Sequence, residues 1–245
     1  SELDIEVMPK LGDIVDDPYI RLPIEFEYGF TPKREGSIGF IPYLRNPFHS
    51  DSVSSDGYLT FGLKQRIDFL RDERLAIAVG FDGRIPLEYI PSDWKRDNYN
   101  AYTPYVVAAY EIDRSGEWTL FTNLSHQLLD KEHHQLEEPV GPIDSLSSIT
   151  AGFLHHPPGD LRYGLRLHYL TEDFLGDDHD ALQIIPSITW YPPEGTPFFR
   201  SIAGHFELTL DLEYSVSKLP EQANDSDFGV SLDVRWNLLR QVSRP

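Results

Sequence analysis

The chain has 245 residues, of which 40% are hydrophobic and 25% charged, so its composition is that of a folded protein and not of a disordered one. It contains no cysteine, which excludes a disulfide scaffold and thiolate metal sites. The 40 acidic and 21 basic residues give a net charge of −19, which argues against nucleic acid as a partner because nucleic acid binding needs a basic footprint.

Alternation of apolar and polar residues dominates the chain from end to end and is typical of β-strands, whose successive side chains point to opposite faces. Nothing marks a domain boundary, so we expect a single domain over residues 1–245. We predict twelve strands, at residues 3–8, 21–31, 36–44, 57–70, 74–86, 101–112, 117–129, 147–155, 160–171, 181–191, 199–216 and 227–239.

Three of these strands show the alternation most clearly. Residues 161–169, 206–216 and 228–238 each have one wholly apolar face and one wholly polar face. In residues 228–238 the apolar face runs from Phe228 to Leu238 and the polar face includes Asp233. Each of these strands therefore separates two different environments.

The connections between the predicted strands alternate in length. Five are short and turn-like: 31–35, 71–73, 113–116, 156–159 and 192–198. Six are longer: 9–20, 45–56, 87–100, 130–146, 172–180 and 217–226. This order is typical of a closed antiparallel up-and-down transmembrane β-barrel, with short turns and both termini at one rim. We therefore predict an all-β barrel of about twelve strands.

Alternation alone does not say whether the apolar face points inwards, as in a soluble lipocalin-like ligand-binding barrel, or outwards to lipid. Two patterns favour the outward direction. Glycines recur on the polar face, which suits a crowded lumen better than a solvated sheet surface: Gly29, Gly39, Gly62, Gly80, Gly152, Gly164 and Gly229. Aromatic residues stand at the ends of apolar stripes, as in the girdles of membrane barrels: Tyr102, Tyr110, Trp118, Tyr163, Tyr169, Trp190, Phe206, Tyr214, Phe228 and Trp236.

With the apolar face outwards, acidic and basic residues of the polar face mix in the lumen, where they can neutralise one another. The charged residues predicted to face the lumen are Glu25, Glu27, Lys64, Arg66, Asp68, Asp82, Arg84, Glu111, Arg162, Arg166, Glu207, Asp211, Glu213, Asp233 and Arg235. Because acids exceed bases over the whole chain, we expect an open pore to prefer cations mildly.

Three stretches resemble a known family. Residues 24–29, 59–64 and 75–81 (IEFEYG, LTFGLK and LAIAVGF) are similar to strands of outer-membrane barrels of the MetA-pathway phenol-degradation-like transporter family. The resemblance runs loosely over most of the chain and its motifs are generic barrel strands. It implies a β-barrel that passes small molecules, and it supplies no catalytic residues.

The predicted loops hold the candidates for metal binding. His133 and His134 lie among acidic residues, and Asp177 and Asp178 are part of another acidic stretch. Imidazole and carboxylate groups bind divalent cations, but neither segment has a fixed ligand spacing, so we favour solvated loops and predict no cofactor. Ca²⁺ or Mg²⁺ gathered at the acidic loops is the alternative.

An enzyme is the main competing class. A membrane phospholipase would need a serine and a histidine close together on the outer face, with an orienting polar group. Ser125 and His126 are adjacent in sequence, so their side chains fall on opposite faces of a strand and form no triad. We therefore predict no enzymatic activity.

The resulting functional prediction is a channel or transporter for small solutes in the outer membrane of a Gram-negative bacterium, with a signal peptide already removed. Its expected partners are membrane lipids, lipopolysaccharide and small-molecule solutes. A non-transporting structural or surface-interaction barrel remains open as an alternative, as does the soluble ligand-binding barrel.

Overall fold

The computed structural model describes residues 2–12, 19–45, 55–67, 74–87, 98–113, 115–134, 145–172, 180–193, 205–218 and 227–237. In these ranges the backbone forms one antiparallel sheet of fourteen β-segments. They are β1 (Glu2–Val7), β2 (Lys10–Gly12), β3 (Tyr19–Arg21), β4 (Ile24–Thr31), β5 (Arg34–Arg45), β6 (Ser55–Ile67), β7 (Leu75–Pro86), β8 (Tyr99–Glu111), β9 (Trp118–His134), β10 (Ser145–His155), β11 (Leu161–Thr171), β12 (Asp180–Trp190), β13 (His205–Ser217) and β14 (Phe228–Asn237).

The sheet closes on itself because the first strand pairs with the last. Val7 of β1 lies opposite Trp236 of β14, and Leu11 of β2 lies opposite Leu232 of the same strand. β1 and β2 are thus two parts of one barrel strand, and β3 and β4 form a second in the same way, since both pair with β5. The fourteen segments therefore make a closed barrel of twelve antiparallel strands, which confirms the predicted fold.

Both divided strands are interrupted beside a proline. Proline has no backbone N–H and cannot donate to the ladder, yet its carbonyl still accepts a hydrogen bond. The carbonyl of Pro9 accepts one from Val234 at 2.9 Å, and the carbonyl of Pro23 accepts one from Met8 at 2.9 Å. The strands therefore continue through the interruptions, and the prediction of a long loop over residues 9–20 was wrong at both ends.

β9 is also longer than predicted. β9 continues to His134, so the first residues of the predicted loop 130–146 belong to a strand. Asp68 and residues 199–204, which were predicted to be in strands, lie outside the described ranges. Within those ranges there is no helix that is long and apolar enough to cross a bilayer.

The two faces of the barrel differ in how far their apolar side chains are exposed. Large apolar side chains that are exposed, such as Ile38, Leu63, Leu167 and Leu210, lie on one face according to the strand register. The hydrophobic residues that are buried lie on the other face: Tyr58, Ala78, Tyr99, Ala101, Leu146, Leu170, Ala181 and Ile185. A water-soluble barrel keeps its large apolar side chains inside, away from water. Here many of them are exposed, so the face that carries them points away from the interior. We call it the outer face, and the opposite one the inner face.

A tight turn at the short-turn rim connects β8 to β9. The Asp113 carboxylate accepts hydrogen bonds from the Ser115 hydroxyl and from the backbone N–H groups of Glu117 and Trp118. These bonds, that from Ser115 first, hold the pKa of Asp113 below its usual value. Gly116 has a φ of 72°, a left-handed conformation that glycine adopts without strain. The sequence predicted this turn through its Asp and Gly residues.

Candidate functional site

A cavity of about 950 Å³ lies within the barrel. Its lining comes from eight segments in succession, β4 to β11, beginning with Gly29 and ending with Arg166. Residues on eight successive strands of a closed sheet can surround one cavity only on the concave side. The inner face therefore borders this space, which begins at the turn between β4 and β5.

The charged residues of the lining are mostly basic. Five basic residues and one acidic residue contribute to it: Lys33, Arg34, Lys64, Arg66, Arg166 and Glu35. The register places Arg34, opposite Gln65, on the outer face, where its side chain bonds with that glutamine. Lys64 Nζ lies 2.6 Å from Glu35 Oε1 in an ion pair between β5 and β6, and both side chains remain partly exposed. Asn123 and Thr150 add polar groups on the β9 and β10 side.

In two ion pairs of the inner face, the carboxylate is far more buried than the arginine. Arg166 of β11 contacts Asp211 of β13, across the intervening β12, and Arg235 of β14 contacts Glu6 of β1. The Asp211 side chain is 4% exposed and that of Arg166 35%, whereas the values for Glu6 and Arg235 are 9% and 47%. In each pair the carboxylate is almost buried and the arginine side chain is partly exposed.

The strand register places fourteen of the fifteen charged residues predicted for the lumen on the inner face, and Asp68 lies outside the described residues. Glu27 and Asp82 share one cross-strand row, with Ser37 and Gly62 between them. Neither residue is part of the cavity lining, although Glu27 is only two residues from Gly29, which is. That these charges control a permeation path stays a prediction.

Sequence reasoning missed charged residues of the inner face, among them Glu35 and Glu6. Glu35 was assigned to a turn, and Glu6 was left out of the lumen set, although both are in ion pairs. The signal was present in both cases. Ile38 and Val7 are apolar and lie on the outer face of their strands, so Glu35 and Glu6, an odd number of positions away, must lie on the inner face.

Tyr105 covers Gly80 on the inner face and narrows the interior there. A Cβ atom built on Gly80 would lie 2.2 Å from Cζ of the Tyr105 ring, whereas one on Gly229 would meet Glu213 at an ordinary 3.6 Å. We expect Gly80→Ala to destabilise the barrel, since the ring must move. The matched variant Gly229→Ala should be neutral, or stabilising by about 0.5–1 kcal/mol through the loss of glycine flexibility. Urea unfolding in lipid vesicles measures both, and equal values for the two variants would contradict this account.

The ten aromatic residues predicted as girdles all lie on the outer face and form two groups. Tyr110, Trp118, Tyr163, Trp190, Phe206 and Trp236 lie towards the short-turn rim, and Tyr102, Tyr169, Tyr214 and Phe228 towards the long-loop rim. Trp118 stacks on His155 with ring centroids 4.1 Å apart, and Phe206 stacks on Trp236 at 5.5 Å. Their contact with the bilayer interfaces stays a prediction.

The metal candidates are not assembled into a site in the part of the chain that is described. There, no group of three or more His, Cys, Asp or Glu side chains is placed to hold an ion. His133 Nδ1 contacts Asp130 Oδ2 at 3.0 Å, within a single strand end. Asp177 and Asp178 lie outside the described residues, and so does the side chain of His134.

A serine–histidine pair does occur on the outer face, although not the pair considered from the sequence. His126 Nδ1 lies 2.8 Å from Ser147 Oγ, which is directly opposite on β10. Ser125 points to the inner face and bonds with Ser148. Among the described residues no carboxylate or amide is hydrogen-bonded to His126, so the pair lacks the group that orients a catalytic histidine.

No protein-family model and no curated protein matches the chain. Solved structures do match. The KdgM porin and the NanC porin each superpose with a TM-score of 0.58 at 9% identity, and each match covers 95% of this chain and 98% of the other. The fold is that of porins. Outer membrane phospholipase A from Escherichia coli has a TM-score of 0.50 at 11% identity, over 96% of this chain and 92% of its own. The specific resemblance to the phenol-degradation family is not shown by these comparisons.

Proposed function

We propose that the protein is an outer-membrane channel for small polar solutes. The observation that carries this proposal is the separation of the two faces, with exposed apolar side chains outside and a charged cavity inside. An apolar exterior is stable against lipid chains, and a polar interior replaces the hydration of a solute in transit. Membrane lipids and lipopolysaccharide are then the partners of the outer surface.

The structural neighbours support the same class, since KdgM and NanC are porins by name. A twelve-stranded barrel is also wider than an eight-stranded barrel, in which side chains fill the interior. The phospholipase shares the fold, but the His126–Ser147 pair has no orienting group in the described part of the chain, so a channel accounts for more of the structure than an enzyme does.

Conductance in planar lipid bilayers tests this function. We expect the purified protein to give discrete conductance steps in KCl. Val107, on the inner face and in the cavity lining, and Val106, exposed on the outer face and absent from the lining, offer a matched pair of neighbouring positions. Val107→Trp should lower the conductance by placing an indole in the cavity, whereas Val106→Trp should leave it unchanged because the indole points to lipid.

A barrel that inserts but conducts no ions would contradict the channel and favour the alternative, a structural barrel whose long loops contact partners. Equal conductance of the two tryptophan variants would mean that ions do not pass through the cavity, and it would also count against the proposal.

A further inference from the structure

The charge of the cavity lining differs from the charge of the chain and from that of the rest of the inner face. The net charge of −19 predicts a mild preference for cations. The cavity lining, however, contains Lys33, Lys64, Arg66 and Arg166 against Glu35, even when Arg34, which the register places on the outer face, is left out. Selectivity depends on the groups that face the solute, because charges farther away than a Debye length of about 8 Å are largely screened at physiological ionic strength.

The ion pairs strengthen this difference. Asp211 and Glu6 are almost buried, whereas the side chains of their partners Arg166 and Arg235 are 35% and 47% exposed. A carboxylate in this position keeps its arginine in place but contributes little surface to the interior. Counting acids and bases therefore overstates the acidity of the inner surface.

We propose that the cavity binds a small organic anion, whose carboxylate is held by the guanidinium of Arg166 with Lys64 and Arg66 across the space. The inference rests on the proposed channel function and names the class of solute. A guanidinium matches a carboxylate in geometry and forms charge-assisted hydrogen bonds with it. Asn123 and Thr150, also in the lining, offer hydrogen bonds to neutral polar groups of the same solute.

Glu27 and Asp82 are not part of the lining, but both carboxyls interact electrostatically with Lys64, which is. Arg166 is not among the groups that act on either of them, so the site depends first on Arg166.

The first test measures reversal potentials in a KCl gradient. We expect the wild-type protein to prefer chloride. The double variant Arg166→Gln/Asp211→Asn removes the presented guanidinium and the buried carboxylate together, so the net charge is unchanged, and it should shift the preference towards potassium. Asp211→Asn alone should change the preference little. Arg74→Gln, at the short-turn rim where Arg74 lies over the Tyr110 ring, is the control for the loss of one positive charge outside the cavity.

The second test measures citrate binding to the detergent-solubilised protein by calorimetry, which does not require conductance. Binding by the wild type, weakened about tenfold in the double variant and unchanged in Arg74→Gln, would support the proposal; one lost charge-assisted contact has about this effect. Arg66→Gln serves in the same way if the double variant does not fold.

Failure of the inference and failure of the channel are distinguishable. Conductance with potassium preference in the wild type, or a double variant identical to it, overturns the anion site and leaves the channel intact. Citrate binding without conductance overturns the channel and retains the site. Absence of citrate binding by the wild type overturns the site whatever the conductance shows.

Discussion

Replacing Leu167 with arginine should destabilise the protein in lipid by about 2–4 kcal/mol, although the side chain is already exposed. Leu167 is 46% exposed and lies on the outer face near the middle of β11. At an exposed site of a water-soluble protein the same substitution changes stability by no more than about 0.5 kcal/mol. The difference arises because a guanidinium at the middle of the bilayer loses its hydration. Unfolding by guanidinium chloride in lipid vesicles measures the effect.

Leu161→Arg is the matched control. Leu161 is 40% exposed on the same face of the same strand, but at the short-turn rim, where an arginine reaches the interface and costs about 0–1 kcal/mol. Equal and small effects at the two positions would mean that β11 does not cross a bilayer. The comparison thus tests the orientation of the barrel independently of any current through it.

The two partners of the Arg166–Asp211 pair should respond unequally to substitution. Arg166→Met leaves the nearly buried Asp211 carboxylate without its cation, and we expect a loss of about 3 kcal/mol, the size found when a buried pair loses one partner. Asp211→Asn leaves an arginine that is 35% exposed and can be hydrated from the cavity, so the loss should be within about 1 kcal/mol. Equilibrium unfolding of both variants gives the comparison.

The double variant Arg166→Met/Asp211→Asn provides the control for this asymmetry. In the double variant the side chain at position 211 is neutral, so the loss of the arginine leaves no buried charge without a partner. The double variant should therefore be more stable than Arg166→Met alone. A double variant as unstable as the sum of the single variants would show that the two side chains act independently, which contradicts the ion pair.

The barrel was predictable from the sequence because its two faces are so different. In residues 228–238 the alternation defines a strand and both of its faces without any tertiary information. The same parity correctly separated the inner and outer positions of β11 and β13. The prolines obscured the first two strands, since a residue that cannot donate a hydrogen bond reads as a break even where its carbonyl still accepts one, as at Pro9.

The polar extension of β9 was missed for a related reason. Residues 130–134 are all charged or histidine, and such a run predicts a loop when only composition is considered. A strand that extends beyond an apolar band can carry polar residues on both faces, so its alternation disappears while its hydrogen bonds continue.

Contacts between strands were beyond the reach of the sequence. Arg166 meets Asp211 and His126 meets Ser147 because of strand register and tilt, which depend on the whole closed sheet. Which member of the Arg166–Asp211 pair is the more exposed depends on the same geometry. For this reason the net charge predicts a cation preference, while the arrangement of the charges supports an anion site.

The pairing of the first strand with the last also affects how the protein folds. Val7 and Trp236 are more than two hundred positions apart, whereas the two strands of an ordinary hairpin here are joined by a few residues. Bringing such distant ends together costs about 3 kcal/mol more in chain entropy than closing a ten-residue loop. The seam therefore forms after the hairpins, and an open sheet of up to twelve strands precedes the closed barrel. Until β14 arrives, β1 presents an unpaired edge that can join the sheet of another chain.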